Sequence, residues 1–403
     1  IGGWNARDAL AAMDQKDAII LDNWLPRTAD VITRKGYSSH VTGLPTVVNS
    51  LMVYAGVSSS TMFAASGSAI YNTTTAGAVG VAVVTGLTSD KFQSVNIATA
   101  GGKYLWAVNG ADLAQMWDGS SWTNPAVTGF TTSSAIHINI WKTRIFLVQK
   151  NSLSVWYLPV NAIAGAANEI NFGPLFKRGG RVIATATWTI DGGYGMDDNL
   201  VIITSKGEIA VYRGTDPSVA ANFVLVGVYD IGAPVGNRCF TKFGGEMILI
   251  TLDGFEPLSK SLTSTRTNNS VAVSDKISGQ VTQATTDYGS NFGWEIINYP
   301  TENMLIFNVP VTTNTEVHQY VMNTITGAWC RFKGWNANCF ALMDDVLYFG
   351  GDTVVRKAWD TNADVGANIN TDAKPAFNYF GADGLKQWKM ARPVFSSNAN
   401  PSP

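Results

Sequence analysis

The feature that most constrains the fold is a hairpin pattern that recurs along the whole chain. In each unit an alternating apolar run meets a turn of Gly, Asn or Asp and continues into a short run that ends in Tyr or Trp. No strict sequence repeat accompanies the pattern. The units begin at Thr61, Tyr104, Arg144, Asn199, Glu246, Asn303 and Val346, so successive starts lie 40 to 57 residues apart.

This period is typical of a β-propeller. A four-stranded blade buries its faces only against neighbouring blades, and a closed ring leaves no exposed end blade. We therefore predict an all-β protein, a β-propeller of six to eight blades with a few short helical insertions; the pattern does not show which terminal strand closes the ring. We expect a core between the blades that includes Phe63, Trp106, Phe146, Ile202, Ile248, Ile306, Phe307 and Tyr348.

Two dipeptides at predicted strand ends, Trp117-Asp118 and Trp359-Asp360, imitate the WD40 signature. WD40 repeats also place a His after a Gly in most blades. Since none of the three histidines follows a Gly, the sequence excludes WD40 repeats but not a propeller; these histidines are His40, His137 and His318.

Helical patterns are few. Asn5 is a candidate N-cap for a short helix through Met13, and the segment after Ser274 has apolar residues at helical spacing, which predicts a helix inserted between blades. We divide the chain into an N-terminal segment at 1–45, with the short helix and a strand that enters or closes the ring, a propeller at 46–375, and a segment at 376–403 that either starts further β structure or frays. The missing initiator Met and the abrupt end at Pro403 lead us to expect a longer native chain.

Composition removes several classes of protein. Only 14% of the residues are charged, and 28 Lys and Arg face 30 Asp and Glu, which excludes a strongly basic nucleic-acid binder and charge-driven disorder. The polar share comes from Ser, Thr, Asn and 39 Gly, residues of strands and turns. No window approaches about 18 consecutive apolar residues, so we expect no membrane-spanning segment.

The cysteines do not form a disulfide framework. Cys239, Cys330 and Cys339 are an odd number and contain no CxxC pair. We expect buried, reduced thiols, with a hairpin bridge between Cys330 and Cys339 as the alternative.

Signatures of catalysis are missing from the sequence. Gly102-Lys103 lacks the partners of a P-loop, no GxSxG motif occurs, and the histidines are too far apart for an HxH or HExxH zinc motif. The sequence therefore predicts no catalytic, cofactor-binding or metal-ligating residue, no cofactor, and a protein that is not an enzyme.

Some polar clusters allow two interpretations. The loop Asp191–Asn199 either holds Ca²⁺ or, as we favour, forms a turn with Asx hydrogen bonds. Asp118–Trp122 only approximates a sialidase Asp-box, and nothing selects a carboxylate pair for glycoside hydrolysis. Basic residues that either touch phosphate or, as we favour, are solvated or contact other subunits are Lys177, Arg178 and Arg181, with Arg27, Arg34 and Lys35 nearer the N-terminus.

The order of several longer motifs resembles a family of phage proteins. These motifs are the opening at 2–45 (GGWNARDAL to VTGLP), FKRGG at 176–180, GEIAVYRGTDPS at 207–218, VGVYDIGAPVGNRC at 226–239, TGAWCRFKGWNANCF at 326–340, LYFGGD at 347–352 and AFNYFG at 376–381. They cover nearly the whole chain in order. The sequence resembles the tail tubular protein B, or nozzle, family of short-tailed (podovirus-type) bacteriophages, and more loosely the packaged-DNA-stabilising tail hub proteins.

That resemblance implies a structural virion protein, assembled in the host cytoplasm, that forms a homohexameric ring below the portal and adaptor proteins. The ring would extend the conduit for DNA ejection, carry tail fibre or needle proteins, and let double-stranded DNA pass transiently. No catalytic residue is implied. The alternative is a carbohydrate-binding or glycosidase-like propeller that recognises a host surface sugar.

The charge balance leads to an expectation about the conduit. Each phosphate held by Lys or Arg would slow the passage of DNA, and a net charge of −2 per subunit becomes about −12 for six copies. We expect a neutral to acidic lumen, with Lys177, Arg178 and Arg181 at subunit or adaptor contacts.

Overall fold

Strands dominate the computed structural model, which describes residues 2–191, 196–263, 272–378, 387, 389 and 390. The N-terminal segment contributes five strands, most of them short. They are β1 (Gly3–Trp4), β2 (Asp17–Asp22), β3 (Trp24–Pro26), β4 (Val31–Thr33) and β5 (Tyr37–Thr42).

Four blades follow in chain order, each an antiparallel sheet with its first strand innermost. Blade 1 has β6 (Val48–Ala55), β7 (Ser60–Ser66), β8 (Ala69–Asn72) and, after a short β9 (Gly77–Ala78), β10 (Ala82–Thr85). Blade 2 has β11 (Gln93–Thr99), β12 (Gly102–Val108), β13 (Gln115–Trp117) and β14 (Trp122–Thr123). After β15 (Val127–Thr128), blade 3 has β16 (Ala135–Trp141), β17 (Arg144–Gln149), β18 (Ser154–Tyr157) and, beyond β19 (Gly165–Ala166), β20 (Asn168–Asn171). Blade 4 has β21 (Val182–Asp191), β22 (Met196–Thr204), β23 (Glu208–Gly214) and β24 (Phe223–Asp230).

The remaining blades carry the helices and the ring closure. Blade 5 has β25 (Phe240–Phe243), β26 (Glu246–Thr251) and β27 (Gly254–Pro257), followed by α1 (Leu258–Thr263) and α2 (Ser278–Tyr288). Blade 6 has β28 (Glu295–Tyr299), β29 (Met304–Thr312), β30 (Glu316–Asn323) and β31 (Trp329–Lys333). Blade 7 has β32 (Cys339–Met343), β33 (Val346–Gly350) and β34 (Val354–Ala358), and a last strand, β35 (Asp372–Pro375), pairs with β2.

The ring closes through the N-terminal strand β5. It pairs antiparallel with β34 and so supplies the fourth strand of blade 7, while β32 packs against β6 of blade 1. The fold is therefore an all-β propeller, as predicted, and the described residues form seven blades. The propeller extends back to Tyr37, ahead of the predicted boundary at residue 46, because its closing strand precedes its first blade. At the seam a Cβ added to Gly350 would overlap the side chain of Val48, so glycine allows blades 7 and 1 to approach closely.

The core lies between the blades, and the second strand of each blade contributes residues to it on both faces. Successive residues of a strand point to opposite faces, and both faces of these strands are buried. In β12, Leu105 and Ala107 pack against blade 1, whereas Trp106 and Val108 pack towards blade 3. Every residue predicted for this core is buried, and each lies on the second strand of its blade: Phe63, Trp106, Phe146, Ile202, Ile248, Ile306, Phe307 and Tyr348.

The two helix predictions had different outcomes. The segment after Ser274 contains α2, whose Val281 and Ala284 are buried, so that prediction is confirmed. The predicted helix from Asn5 to Met13 is wrong, because these residues form turns. The side chain of Asn5 does accept hydrogen bonds from the amides of Arg7 and Asp8, as an N-cap would. However, the segment is too short to sustain a helix by itself, and the backbone amides of Asn5 and Ala6 are tied to Ala18 and Lys276.

The N-terminal segment also widens blade 6. β2 runs parallel to β31, and the Asp22 carboxylate receives hydrogen bonds from Arg331 at 2.7 and 2.8 Å. On the other side of β2 lies β35. The segment predicted at 376–403 lies largely outside the described residues.

All three thiols are free and buried. Burial raises the pKa of Cys239 and of Cys339 to about 12 and that of Cys330 well above its usual value. Cys330 and Cys339 lie in β31 and β32, strands of different blades, and not in one hairpin.

Candidate functional site

Two cavities in the described part of the chain lie along the propeller axis. A channel cavity of about 280 Å³ is lined by inner-strand residues such as Leu51, Ile138 and Ile296. A second cavity of about 410 Å³ lies where several inner strands begin, and we call it the channel-mouth cup. Asn237 and Arg238 line both cavities and therefore lie at the boundary between them.

Arg238 crosses the axis of the ring. It precedes the inner strand of blade 5, and its Nη2 donates to the carbonyl oxygens of Asn49 and Phe92, at 3.0 and 3.1 Å, and to Ser50 Oγ at 2.9 Å. Its Nη1 lies 3.4 Å from Oε2 of Glu295, at the start of the inner strand of blade 6. One guanidinium thus contacts blades 1, 2 and 6 from blade 5, a use of the planar donor group that lysine does not offer. The contacts close the channel below the cup.

Glu295 is the carboxylate that balances Arg238. Its side chain is only 15% exposed, and it accepts a further hydrogen bond from the backbone amide of Phe340 at 3.0 Å. Burial raises the pKa of Glu295, although Arg238 and the Phe340 amide act in the opposite direction. The ion pair between Arg238 and Glu295 thus joins blades 5 and 6 near the axis.

His137 lies deeper in the channel, on the inner strand of blade 3. Burial lowers its pKa to about 4, and Nδ1 accepts a hydrogen bond from the backbone amide of Thr185 in blade 4 at 3.4 Å. Desolvation disfavours the charged imidazolium, so a neutral ring links the two blades at neutral pH.

The channel-mouth cup has cationic side chains on several sides. Lys91, before β11, places Nζ 4.4 Å from the ring centroid of Phe292, and the guanidinium carbon of Arg238 lies 5.4 Å from the same centroid. Lys150, after β17, donates to the carbonyl oxygen of Gly110 at 3.1 Å. No Asp or Glu is among the residues that line the cup in the described part of the chain.

Glycine-containing loops shape the wall of the cup. Gly236 has φ of +74°, and an added Cβ would lie 3.0 Å from Cβ of Trp294, so both conformation and space favour glycine there. The loop 289–293 follows α2 and leads into the inner strand of blade 6. The indole of Trp294 donates to the carbonyl of Tyr288 at 2.9 Å, which fixes this loop against the end of the helix.

A different kind of surface lies on the outer rim. β24, the outer strand of blade 4, exposes Val224, Leu225, Val226 and Val228, with Val226 52% exposed. Its pairing with β23 shifts register between Val211 and Tyr212, so the strand carries a bulge. On blade 1, Val81 is 90% exposed and Val83 is exposed in β10. Both strands have an unpaired outer edge within the described residues.

The structure separates the basic residues that the sequence analysis singled out. The backbone amides of Lys177 and Arg178 donate to the Glu208 carboxylate at 2.9 and 2.8 Å. The Arg178 side chain lies 3.3 Å from Asp230, the last residue of β24, so this stretch adjoins the apolar rim of blade 4. The backbone amide of Arg181 donates to Ser205 Oγ.

The N-terminal basic residues do not form a patch. Arg27 pairs with Asp30, three positions away, at 2.6 Å. Arg34 is only 2% exposed and makes two hydrogen bonds, of 2.8 and 2.5 Å, to Asp364. Arg34 therefore connects the N-terminal segment to the stretch that follows blade 7 and is not available to phosphate. Lys35 follows it in the link between β4 and β5.

Three further candidates are a sialidase-like Asp-box, the Asp191–Asn199 loop and the Gly102-Lys103 pair. Asp118 accepts the backbone amides of Ser120 and Ser121, both at 2.7 Å, and these hydrogen bonds lower its pKa to about 2, so Asp118–Trp122 is an Asx turn between β13 and β14. Within Asp191–Asn199, residues 192–195 lie outside the described residues; Asp198 accepts a hydrogen bond from Thr189 at 2.6 Å. Lys103 donates to the carbonyl oxygen of Gly56.

The sequence alone gives little sign of the cup residues. Arg238 lies inside the motif VGNRC, but one arginine before an apolar strand gives no sign that other blades converge on it. Lys91 and Lys150 are likewise isolated in the sequence. The feature that Arg238, Lys91 and Lys150 share is a position just outside a strand of the repeating pattern.

Comparisons with known proteins reach the level of the fold. No family model matches the chain, and no curated protein matches it. Two solved structures of BBS1N in complex with ARL6DN are similar to this chain. The one from crystals soaked with lead is 10% identical, with 83% of this chain and 100% of that chain covered and a TM-score of 0.50. The one from crystals soaked with mercury is 9% identical, with 84% of this chain and 100% of that chain covered and a TM-score of 0.48. Raptor from Chaetomium thermophilum is 10% identical, with 81% of this chain and 29% of that chain covered and a TM-score of 0.44.

A likeness at such low identity concerns the fold alone. With the sheet topology it defines the class of the protein, an all-β propeller. No helix in the described part of the chain has the length and apolar character needed to cross a membrane.

Proposed function

We propose that this chain is a structural virion protein of a short-tailed phage, a subunit of the ring-shaped tail nozzle or hub that extends the DNA conduit below the portal and adaptor. The proposal starts from the sequence resemblance, whose motifs follow one another along nearly the whole chain. A structural role without catalysis, cofactor or metal is part of the proposal.

The observation that carries the proposal is the apolar rim on blades 1 and 4. Unpaired edge strands invite association, and soluble proteins usually protect them with charge, shortness or cover. β24 does the opposite, because Val224, Leu225 and Val226 are consecutive exposed apolar residues on a strand of eight residues. Such a surface is expected where another subunit covers it.

The positions of the two rims suit a ring. Blade 4 lies three blades from blade 1 in a ring of seven, so β10 and β24 are on roughly opposite sides of the disc. A closed ring of identical subunits needs two different surfaces on each subunit, one for each neighbour. We propose that the rims of blades 1 and 4 are these two surfaces, with Arg178 and its neighbours Lys177 and Arg181 at the edge of the contact.

Other blades have different outer edges. β2 covers β31 of blade 6, and β5 covers β34 of blade 7. The outer strand of blade 3 has the polar sequence Asn-Glu-Ile-Asn, and on blade 2 Trp122 packs against Phe63. The contrast favours specific subunit contacts at blades 1 and 4 over non-specific association along the whole rim.

The proposed path of DNA runs through the centre of the ring of subunits and not along the propeller axis. Arg238 crosses that axis with contacts to three other blades, and the cavities along it have volumes of only about 280 and 410 Å³. We propose a lumen that is neutral to acidic on average, with portal, adaptor, fibre or needle proteins as the other partners of the ring.

Mass photometry of the purified full chain tests the proposal. We expect particles at six times the subunit mass, in equilibrium with smaller species on dilution, and ring-shaped particles by cryo-electron microscopy. Monomers alone at micromolar concentration would contradict ring formation. A continuous Lys and Arg lining along the bore of the ring would contradict the proposed lumen.

A further inference from the structure

We infer that the channel-mouth cup is a binding site for an acidic peptide segment, with carboxylates of the peptide between Lys91 and Lys150. The inference concerns the axis of the propeller and goes beyond the proposed ring, which uses the rim. A cup of about 410 Å³ lies within the range of ligand sites in proteins and has room for a few residues of an extended chain.

The charge of the cup is the first argument. Arg238 has its carboxylate partner in Glu295, but neither Lys91 nor Lys150 has a carboxylate oxygen within 4 Å in the part of the chain that the structure describes. Lys91 faces the ring of Phe292, and Lys150 faces a carbonyl oxygen. Two ammonium groups around one concave surface attract an anion more strongly than either attracts one on an open surface.

Two acidic side chains close to the cup lysines in sequence, Asp90 and Asp112, already have hydrogen-bond partners. Asp90 accepts hydrogen bonds from Asn49 and from the amide of Gly67. Asp112 accepts them from the amides of Thr88 and Ser89 and from Asn109 at 2.7 Å. These bonds engage both carboxylates away from Lys91 and Lys150, which leaves the two lysines available to a ligand.

The polar lining favours a peptide over a sugar or a duplex. Carbohydrate sites commonly offer an aromatic face, but here Phe292 already faces Lys91 and Arg238, and Trp294 is buried. Gln93, Asn237 and Ser290 make no side-chain hydrogen bond within the described residues and line the cup, so they can pair with peptide N–H and C=O groups. A DNA duplex is far wider than the cup.

Fluorescence anisotropy with the full chain tests this inference. The probe is a fluorescein-labelled hexapeptide with two adjacent aspartates between glycines and serines, and the comparison peptide has asparagines in their place. We expect saturable, salt-sensitive binding of the acidic peptide alone. Replacing Lys91→Gln and Lys150→Gln together should weaken it about tenfold or more, because charge-assisted hydrogen bonds are lost.

Lys103→Gln is the matched control, since Lys103 lies at the far end of β12 from the Asn109 turn and also donates to a carbonyl oxygen. It should bind the acidic peptide like the parent chain, and equal melting temperatures would show that all variants are folded. Equal affinity for both peptides, or unchanged affinity in the double variant, would overturn the site. Displacement of the peptide by glucuronic acid or inorganic phosphate at lower concentration than by unlabelled acidic peptide would overturn the peptide assignment. Because ring formation is measured separately at β24, failure here leaves the proposed function untouched.

Discussion

Blades 3 and 4 are neighbours with a shared interior and opposite rims. Between them pack Phe146 and Tyr157 of blade 3 and Leu200 and Ile202 of blade 4, all buried. At the outer edge, blade 3 ends in the short polar strand β20, whereas blade 4 ends in the longer apolar strand β24. Valine, leucine and isoleucine side chains are therefore buried between the blades but exposed at the rim of blade 4. The two groups differ in their distance from the propeller axis.

The difference separates residues that stabilise the fold from residues that would stabilise only the proposed assembly. An apolar residue between blades stabilises the fold, because neighbouring strands cover both of its faces. An apolar residue on the free edge of β24 stabilises nothing until a partner covers it. Variants that affect folding and variants that affect assembly should therefore separate along the radius of blades 3 and 4.

The largest expected effect is at the shared interior. Phe146→Ala should lower the free energy of unfolding by about 3 to 5 kcal/mol, because a buried aromatic ring leaves a cavity that the strands cannot fill. Chemical denaturation followed by tryptophan fluorescence measures the change. A denaturation curve equal to that of the parent would show that the interior of blades 3 and 4 does not hold them together.

The next effect concerns pH at the contact of the two inner strands. The pKa of His137 is about 4 in the folded chain, against about 6.5 in an unfolded one, so the unfolded chain takes up the proton first as the pH falls. The neutral ring contributes fully above pH 6.5, and up to about 3 kcal/mol of stability should be lost between pH 6.5 and 4.

His137→Gln removes the titrating ring but keeps an acceptor for the Thr185 amide. Its free energy of unfolding, measured by denaturant titration at several pH values, should depend less on pH in this window than that of the parent. Parallel curves for the two proteins would mean that His137 is not the group that titrates.

The interior of these blades could be predicted from the sequence, and their rims could not. Phe146 and Ile202 occupy equivalent positions in a hairpin pattern that recurs along the chain. The spacing of that pattern predicts a blade without knowledge of the neighbouring blades. The exposed face of β24 has no such signature, because its bulge interrupts the alternation and Val224, Leu225 and Val226 resemble a buried strand.

Long-range contacts account for what the sequence left open. The sequence predicts a strand within 1–45 that enters or closes the ring, but the partner of β5 in blade 7 lies more than 300 residues away, and Arg238 meets residues of blades 1, 2 and 6, so local patterns contain neither contact. The turn at Asn5 was predicted as a helix because its sequence has the right cap and alanines. The backbone bonds that Asn5 and Ala6 make to Ala18 and Lys276 are tertiary and not visible in the sequence, and so short a segment does not sustain a helix by itself.

A further prediction compares the outer strands of blades 3 and 4 in assembly. Val226→Lys with Val228→Lys places two charges on the apolar edge of blade 4, and we expect the proposed ring to dissociate to smaller species by mass photometry at concentrations where the parent should assemble. Charge on a free strand edge opposes pairing with another chain. Asn168→Lys on β20 is the matched control and should assemble like the parent. Dissociation by both variants would remove the distinction between the blades.

The smallest expected effect is that of Val226→Thr. Threonine keeps the branched shape and the strand preference of valine, so the free energy of unfolding of the isolated chain should change by no more than about 0.5 kcal/mol, as for other surface substitutions. If the proposed ring covers this surface, a buried hydroxyl group weakens the contact, so the ring should dissociate at a several-fold higher protein concentration than that of the parent. Denaturation and dilution series on one sample separate the two quantities. A loss of stability comparable to that of Phe146→Ala would show that Val226 is covered within its own subunit, and the rim of blade 4 would then differ from that of blade 3 in sequence alone.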